Sequence, residues 1–198
     1  MAVTALLIEV VFFALAFGLR SVIQYRRTGS TGLRIPGPEA SAAERVGSLL
    51  FVASLVLIVA APVAALGGWS TYGLPTAVQV LGVVLAVTGS AATVWAQLDM
   101  GDSWRIGVDP TEQTELVTGG VYRTVRNPIF TAMVAATVGL ALMVPWWLSI
   151  AAVFALVAGL EVQVRVVEEP YLASVHGDRY AQYRRSAGRF VPGVGTSS

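Results

Sequence analysis

The chain has 198 residues, of which 55% are hydrophobic and 13% charged, about half of the roughly 25% charged share of soluble domains. Its formal net charge of +1 argues against nucleic acid as a partner. The absence of cysteine excludes disulfides, thiolate metal sites, iron–sulfur clusters and a cysteine nucleophile within the chain, and the single histidine excludes a histidine-rich metal site.

The apolar residues fall into five blocks, each close to the roughly 20 residues that cross a bilayer as a helix. The blocks cover residues 3–23, 46–66, 74–98, 128–144 and 148–167. The tail that follows is polar, with a mostly helical pattern. The sequence therefore predicts an all-α polytopic membrane protein with five transmembrane helices and a C-terminal amphipathic helix.

The basic residues predict the orientation of these spans. All 13 are arginines, and they lie in the first and third connections, in the tail, or at the span ends that face those segments. The N-terminus and the short turns at 67–73 and 145–147 carry none. By the positive-inside rule, we expect an N-terminus outside, a cytoplasmic C-terminus and location in the cell membrane as a multi-pass protein.

Ionisable residues inside a predicted span mark candidate functional positions, because burying them in a bilayer is costly. Glu9 lies about two turns into the first span and should face the bundle or the interface. Glu161, Arg165 and Glu168 are spaced to share one helix face of the last span, in the favourable Glu-first order for the first pair. This stripe predicts a polar cavity at the inner half of that span.

The last two spans form a hairpin, so their inner ends are neighbours. Pro128 suits the first turn of a helix, whose free N–H groups and partial positive charge favour a carboxylate. Glu168 and Glu169 supply carboxylates at the other inner end. The two ends together match a zwitterion such as an amino-acid headgroup. We expect one membrane domain, 1–198, in which a three-span scaffold (1–98) carries a cofactor-binding part (99–198).

Four motifs occur in order in this second part. They are LVTGGVY at 116–122, RNPIF at 126–130, EEPYL at 168–172 and GDRYAQY at 177–183, and RFVP follows at 189–192. They resemble the isoprenylcysteine carboxyl methyltransferase family, and more broadly the membrane methyltransferases of the phospholipid methyltransferase type. In this chain Asn127 replaces a family histidine, Phe130 replaces a tyrosine, and Val164 stands where the family has an arginine for the substrate carboxylate.

The resemblance implies an enzyme that binds S-adenosylmethionine on the cytoplasmic side and methylates a lipophilic substrate that arrives from the membrane lipids. Carried over, it assigns the nucleoside to one group of residues, the methionine part to a second, and the cofactor ammonium to Glu168. The first group is Leu116, Val117 and Tyr122, and the second is Asn127, Pro128, Ile129 and Phe130. The candidate catalytic residues are Arg126, Arg165, Glu168 and Glu169, and no metal is expected.

The acceptor stays open between a carboxylate, a phenol and an amine. For a phenol or an amine, Glu168, Glu169 or Tyr122 is a candidate general base. Residues 99–127 and the tail are predicted to cap the pocket, with Trp104 and Arg105 in this lid or at the membrane surface, and a lateral opening is predicted to face lipid.

Two other functions compete with methyl transfer. The first is an NADPH-dependent membrane reductase of the sterol-reductase type, which would need a site for the 2′-phosphate, and Arg123 and Arg126 could provide it. The second is a structural or carrier membrane protein, against which the clustered charges on the inner side argue.

Overall fold

The computed structural model describes residues 1–33, 36–107 and 115–196, which form seven α-helices, two π-helical segments and two short 3-10 turns. The α-helices are α1 (Ala2–Phe13), α2 (Arg20–Thr28), α3 (Ala42–Leu66), α4 (Thr76–Asp99), α5 (Pro128–Met143), α6 (Trp147–Val162) and α7 (Glu169–Ser186). Within these described ranges there is no β-strand. The all-α prediction is confirmed.

Four helical stretches are long and apolar enough to cross a membrane. They are Ala2–Thr28, Ala42–Leu66, Thr76–Asp99 and Trp147–Ser186. Helix α5 is apolar but has only 16 residues, so it rises about 24 Å, less than the roughly 30 Å hydrocarbon core. A multi-pass membrane protein is thus supported, whereas the number of five spans stays a prediction.

The π-helical segments join α-helices that would otherwise be separate. Ala14–Leu19 connects α1 to α2, and Gln163–Glu168 connects α6 to α7. The predicted C-terminal helix is therefore the continuation of the last span. It bends at Gly177, whose φ of 49° and ψ of −124° leave the helical region.

The arginine-bearing segments meet at one end of the bundle. The N–H of Ile106, in the third connection, donates to the carbonyl of Gly32 in the first, at 2.7 Å. The N–H of Arg126 donates to the carbonyl of Gly188 in the tail, at 2.8 Å. The two uncharged turns meet at the opposite end, where the rings of Trp69 and Trp146 lie 5.6 Å apart. This arrangement agrees with the predicted grouping of the arginines, although Arg34 lies outside the described residues.

Glu9 lies inside the helix bundle. It is 2% exposed, and neither carboxylate oxygen has a hydrogen-bond partner. The side chain of Glu9 therefore faces the bundle and not the interface.

Glycine allows α4 and α5 to pack backbone against backbone. A Cβ added at Gly139 of α5 would lie 2.3 Å from the amide nitrogen of Ala86, and one added at Gly89 of α4 would lie 2.6 Å from that of Ala136. Real atoms cannot approach so closely, so these positions require glycine. Because α5 begins at the candidate site, this contact also fixes the position of the site.

Gly139→Ala is therefore expected to lower the stability of the bundle by about 2 kcal/mol, within the range for overpacked interiors. The matched control is Gly73→Ala, because a Cβ there meets nothing within 4 Å. Thermal unfolding of both variants in the same detergent would measure the difference. Equal midpoints for the two variants would contradict this account of the α4–α5 contact.

Candidate active site

A cavity of about 650 Å³ opens at the arginine-bearing end of the bundle. All residues predicted to bind the cofactor line it, namely Leu116, Val117, Tyr122, Asn127, Pro128, Ile129, Phe130 and Glu168. Among the candidate catalytic residues, Arg126, Glu168 and Glu169 also line it, but Arg165 does not. The four motifs, which lie in two parts of the sequence about 40 residues apart, thus contribute to one site.

The turn before Tyr122 is fixed by Asp99 at the end of α4. The carboxylate of Asp99 accepts a hydrogen bond from the N–H of Val121 at 2.8 Å. Gly120 has a φ of 54°, and a Cβ on it would lie 2.0 Å from the Asp99 carboxylate. Only glycine fits there, which explains the second glycine of the first motif in physical terms.

Tyr122 is held on both sides. Its hydroxyl donates to the carbonyl of Ala96 at 3.1 Å, and its own carbonyl accepts from the hydroxyl of Tyr183 at 2.6 Å. Burial raises the pKa of the Tyr122 hydroxyl far above its usual range. The hydroxyl therefore stays protonated and acts as a donor, so the structure argues against Tyr122 as a general base.

The N-terminus of α5 faces the cavity with uncapped N–H groups. No side chain caps this helix, and Ile129 and Phe130, in its first turn, line the cavity. The side chain of Asn127 instead donates to the carbonyl of Arg189 at 3.0 Å. The N–H groups of Ile129 and Phe130 thus have no side-chain cap, and the binding of an anion there stays a prediction.

Glu169 is bound by two arginines from different parts of the chain. Its Oε1 accepts from Nη2 of Arg126 at 2.9 Å and from Nε of Arg189 at 2.8 Å. Its Oε2 accepts from Nη2 of Arg189 at 2.9 Å. Side-chain exposure in this cluster is 3% for Arg126, 10% for Glu169 and 15% for Arg189.

Arg126 also binds the backbone of the tail. Its Nη1 donates to the carbonyl of Ala187 at 2.5 Å, and its Nη2 to that of Gly195 at 3.1 Å. Its Nη1 also donates to the carbonyl of Arg184 at 3.3 Å, so the four Nη hydrogens are all used and only the buried Nε has no partner. Both Arg126 and Glu169 are therefore engaged in holding the tail against the start of α5, a role that differs from the catalytic one expected from the sequence.

Glu168 also lines the cavity, and among the described residues no arginine forms an ion pair with it. Its Oε1 accepts one hydrogen bond, from Nε2 of Gln163 at 3.4 Å. Arg165 pairs instead with Glu161 on the outside of the helix, with side-chain exposures of 54% and 38%. The predicted stripe from Glu161 to Glu168 is therefore wrong in part. The π-helical segment between them has a wider turn than an α-helix and changes the direction of the residues after it.

Several lining residues were not predicted from the sequence. The apolar side of the cavity contains aromatic rings from three different helical segments, Phe17, Phe51 and Phe130, of which only Phe130 lies in a motif. Trp104 is 1% exposed and lines the cavity, so it lies at the cavity and not at the membrane surface. Gln97, near the end of α4, also lines it. Single apolar or amide residues in a helix carry no local signal of such a position.

Part of the predicted lid is not described. Asp109 and Glu112, in the third connection, lie outside the described residues. Within residues 1–33, 36–107 and 115–196, no group of three His, Asp or Glu side chains is placed to hold a metal ion.

The sequence profile of the phospholipid methyltransferase family matches residues 77–179, just over half of the chain. A search of curated proteins finds no match.

Among solved structures, the fold is similar to that of a eukaryotic intramembrane Ras methyltransferase, isoprenylcysteine carboxyl methyltransferase, with a TM-score of 0.62. The two proteins are 19% identical, and the match covers 96% of this chain and 66% of the other. At this identity the match shows a shared fold.

The tail cluster yields a prediction about stability. Glu169→Gln removes the charge that the buried Arg126 and the partly buried Arg189 need, and breaking such a buried pair costs about 3 kcal/mol. We expect a lower unfolding midpoint and faster proteolysis of the chain after residue 186.

Glu161→Gln is the matched control, because it breaks an exposed pair that is worth less than about 1 kcal/mol. If both variants unfold and are cleaved like the wild type, the cluster does not hold the tail.

Proposed function

Because the chain belongs to the phospholipid methyltransferase family, we propose that it transfers a methyl group from S-adenosylmethionine to a lipophilic acceptor at the cytoplasmic face of the cell membrane. The observation that carries the proposal is the convergence of all the predicted cofactor residues on one cavity. The fold similarity to an intramembrane methyltransferase supports the same class of reaction.

The charges of the cavity suit the amino-acid part of this cofactor. The uncapped first turn of α5, at Ile129 and Phe130, would hold the carboxylate, and Glu168 would hold the ammonium group. Leu116, Val117 and the ring of Tyr122 would enclose the nucleoside. Each end of the zwitterion would thus meet the opposite charge.

When bound, S-adenosylmethionine supplies an electrophilic methyl group on its sulfonium. The protein's own contribution is to hold the two reactants in line and to exclude water. Tyr122 and the tail cluster keep the walls of the cavity rigid. Of the three candidate bases, the hydroxyl of Tyr122 is buried and stays protonated, and Glu169 is paired with two arginines. Glu168 is the candidate that remains.

A lipophilic acceptor would reach the cavity from the side. Leu49 and Val52 of α3 line the cavity and are 68% and 54% exposed on the lateral surface of the bundle. Phe17, in the first π-helical segment, lines the cavity as well. An acceptor with an apolar tail would find an apolar path between these helices, because lipid surrounds this surface.

The reductase alternative loses its proposed phosphate site. Arg126 is buried and bound to Glu169 and to tail carbonyls, and Arg123 is exposed and does not line the cavity. Neither side chain is placed to bind a 2′-phosphate inside it.

Calorimetric titration of the purified protein tests the cofactor. We expect heat of binding with S-adenosylmethionine and none with NADPH. Glu168→Gln should weaken S-adenosylmethionine binding about 10- to 100-fold, which corresponds to one hydrogen bond to a charged group. Glu161→Gln, on the same helix but outside the cavity, should bind as tightly as the wild type. Binding of NADPH alone would refute the methyltransferase, and unchanged binding by Glu168→Gln would refute the role of that residue.

The proposed orientation is tested with single cysteines, since the chain has none of its own. Ser70→Cys, in a short turn, should react with an impermeant maleimide in intact cells. Ser186→Cys, at the end of α7, should react only after the membrane is opened. The reverse pattern would place the cavity on the outer side.

A further inference from the structure

Gln97 of α4 lies between two parts of the cavity. The apolar part is lined by three aromatic rings, those of Phe17, Phe51 and Phe130. They pack against the same buried cluster as Val94, which precedes Gln97 by about one helical turn. On the other side, the carbonyl of Ala96 accepts from the hydroxyl of Tyr122, at the site proposed for the nucleoside. A methyl acceptor whose tail occupied the aromatic part would therefore have its reacting end close to Gln97.

The side-chain amide of Gln97 turns its N–H group to the cavity. The residue is 2% exposed and lines the cavity. Its Oε1 is buried without a partner, so the amide atom that is open to the cavity is Nε2. Nε2 has no hydrogen-bond partner among the described residues either. By contrast, the hydroxyls of Tyr122 and Tyr183 and the amide of Asn127 on the same wall are engaged. Gln97 thus presents an unpaired donor to a ligand in the cavity.

Arg20 fixes the helical turn that carries this amide. Its Nε donates to the carbonyl of Gln97 at 3.4 Å and its Nη2 to that of Gly101 at 2.5 Å. Its guanidinium also lies 4.5 Å from the centre of the Trp104 ring. Gln97 is therefore held in place before any ligand arrives, which reduces the entropy lost on binding.

We propose that Nε2 of Gln97 donates a hydrogen bond to the oxygen atom that receives the methyl group, which makes Gln97 a specificity-determining residue for the acceptor. The inference rests on the proposed methyltransferase function. It narrows the acceptor class of that function to lipophilic carboxylates and phenols.

Such a donor is compatible with methyl transfer to oxygen. A carboxylate or phenol oxygen has more than one lone pair, so one can accept from Nε2 while another attacks. The attacking lone pair forms the new bond to the methyl carbon, and the carbon–sulfur bond breaks with its electron pair left on sulfur. A carboxylate gives up no proton in this step, and the proton of a phenol leaves to water. Gln97 exchanges no proton, so its role is to orient the attacking oxygen.

Methyl transfer to nitrogen does not fit the same donor. A neutral amine has one lone pair, and a donor bound to that lone pair would block its attack on the methyl carbon. A protonated amine offers only N–H donors, which would face the N–H group of Gln97 without an acceptor between them. The orientation of the amide therefore favours an oxygen acceptor over an amine.

The test compares ligands that only accept hydrogen bonds with one that only donates them. Protein in phosphatidylcholine nanodiscs, without cofactor, is titrated in a calorimeter with 2-tridecanone, dodecanoate and dodecylammonium. Each affinity is compared between Gln97→Met and the wild type for the same ligand, so that partition into the lipid cancels. We expect the variant to bind the ketone about three- to tenfold more weakly and dodecanoate about 10- to 100-fold more weakly, the ranges of a neutral and a charged hydrogen bond. Dodecylammonium binding should not change.

Two further variants control for general effects of the substitution. Gln79→Met, on the same helix but outside the cavity lining, should bind all three ligands like the wild type. If Gln97→Met no longer binds S-adenosylmethionine, Gln97→Asn replaces it, because this variant keeps an amide and withdraws it from the cavity by one methylene. Wild-type affinity of Gln97→Asn for the ketone would then overturn the inference.

The outcomes separate the two proposals. If the wild type binds S-adenosylmethionine but Gln97→Met binds the ketone and dodecanoate unchanged, the role of Gln97 is refuted and the methyltransferase stands. A variant that loses affinity for dodecylammonium more than for the ketone also refutes it, since the amide would then act as an acceptor. A wild type that binds neither the ketone nor dodecanoate has the same consequence. If the wild type does not bind S-adenosylmethionine, the proposed function itself fails.

Discussion

The carboxylate of Glu169 lies between Arg126 and Arg189, and the geometry of the site depends on this cluster. Arg126 belongs to the segment that begins α5, Glu169 begins α7, and Arg189 follows α7. One buried acid therefore ties together three segments that are far apart in sequence. Glu169 or Arg126 alone would be a buried, uncompensated charge, so these side chains stabilise one another.

The cluster also determines what the neighbouring residues can do. The tail backbone pairs with the residues before α5, and the side chain of Asn127 binds the carbonyl of Arg189. An asparagine side chain could have capped α5, but here it is turned to the tail. The first N–H groups of the helix consequently face the cavity without a cap. The ion cluster thus lies next to a helix start that it leaves uncapped.

The sequence predicts the site better than it predicts the individual roles. Apolar blocks, the hairpin and the order of the motifs were enough to bring Leu116, Asn127 and Glu168 to one cavity. The roles of Arg126 and Glu169 depend on where the tail packs. The spacing of residues along the sequence does not predict that packing. The stripe from Glu161 to Glu168 failed because helical periodicity assumes regular turns, whereas the chain has a π-helical segment there. Gln97 carried no signal at all, because an amide near a helix end is usually solvated.

Both π-helical segments contribute to the cavity wall, and this links an irregular backbone to the proposed chemistry. Phe17 lies in the first segment, and Gln163, Val164 and Glu168 lie in the second. A π turn is wider than an α turn and has a less regular hydrogen-bond pattern. Because one such turn lies on each side of the cavity, we infer that the wider backbone makes room for it.

The charges around the cavity give that space its character. Arg126 and Arg189 neutralise Glu169, and Glu161 pairs with Arg165 outside. Glu168 and the positive end of α5 face the cavity, together with Arg45, Arg105 and Glu115. Both signs of charge therefore line a largely apolar enclosure, which suits a zwitterion better than a ligand with net charge at one end only.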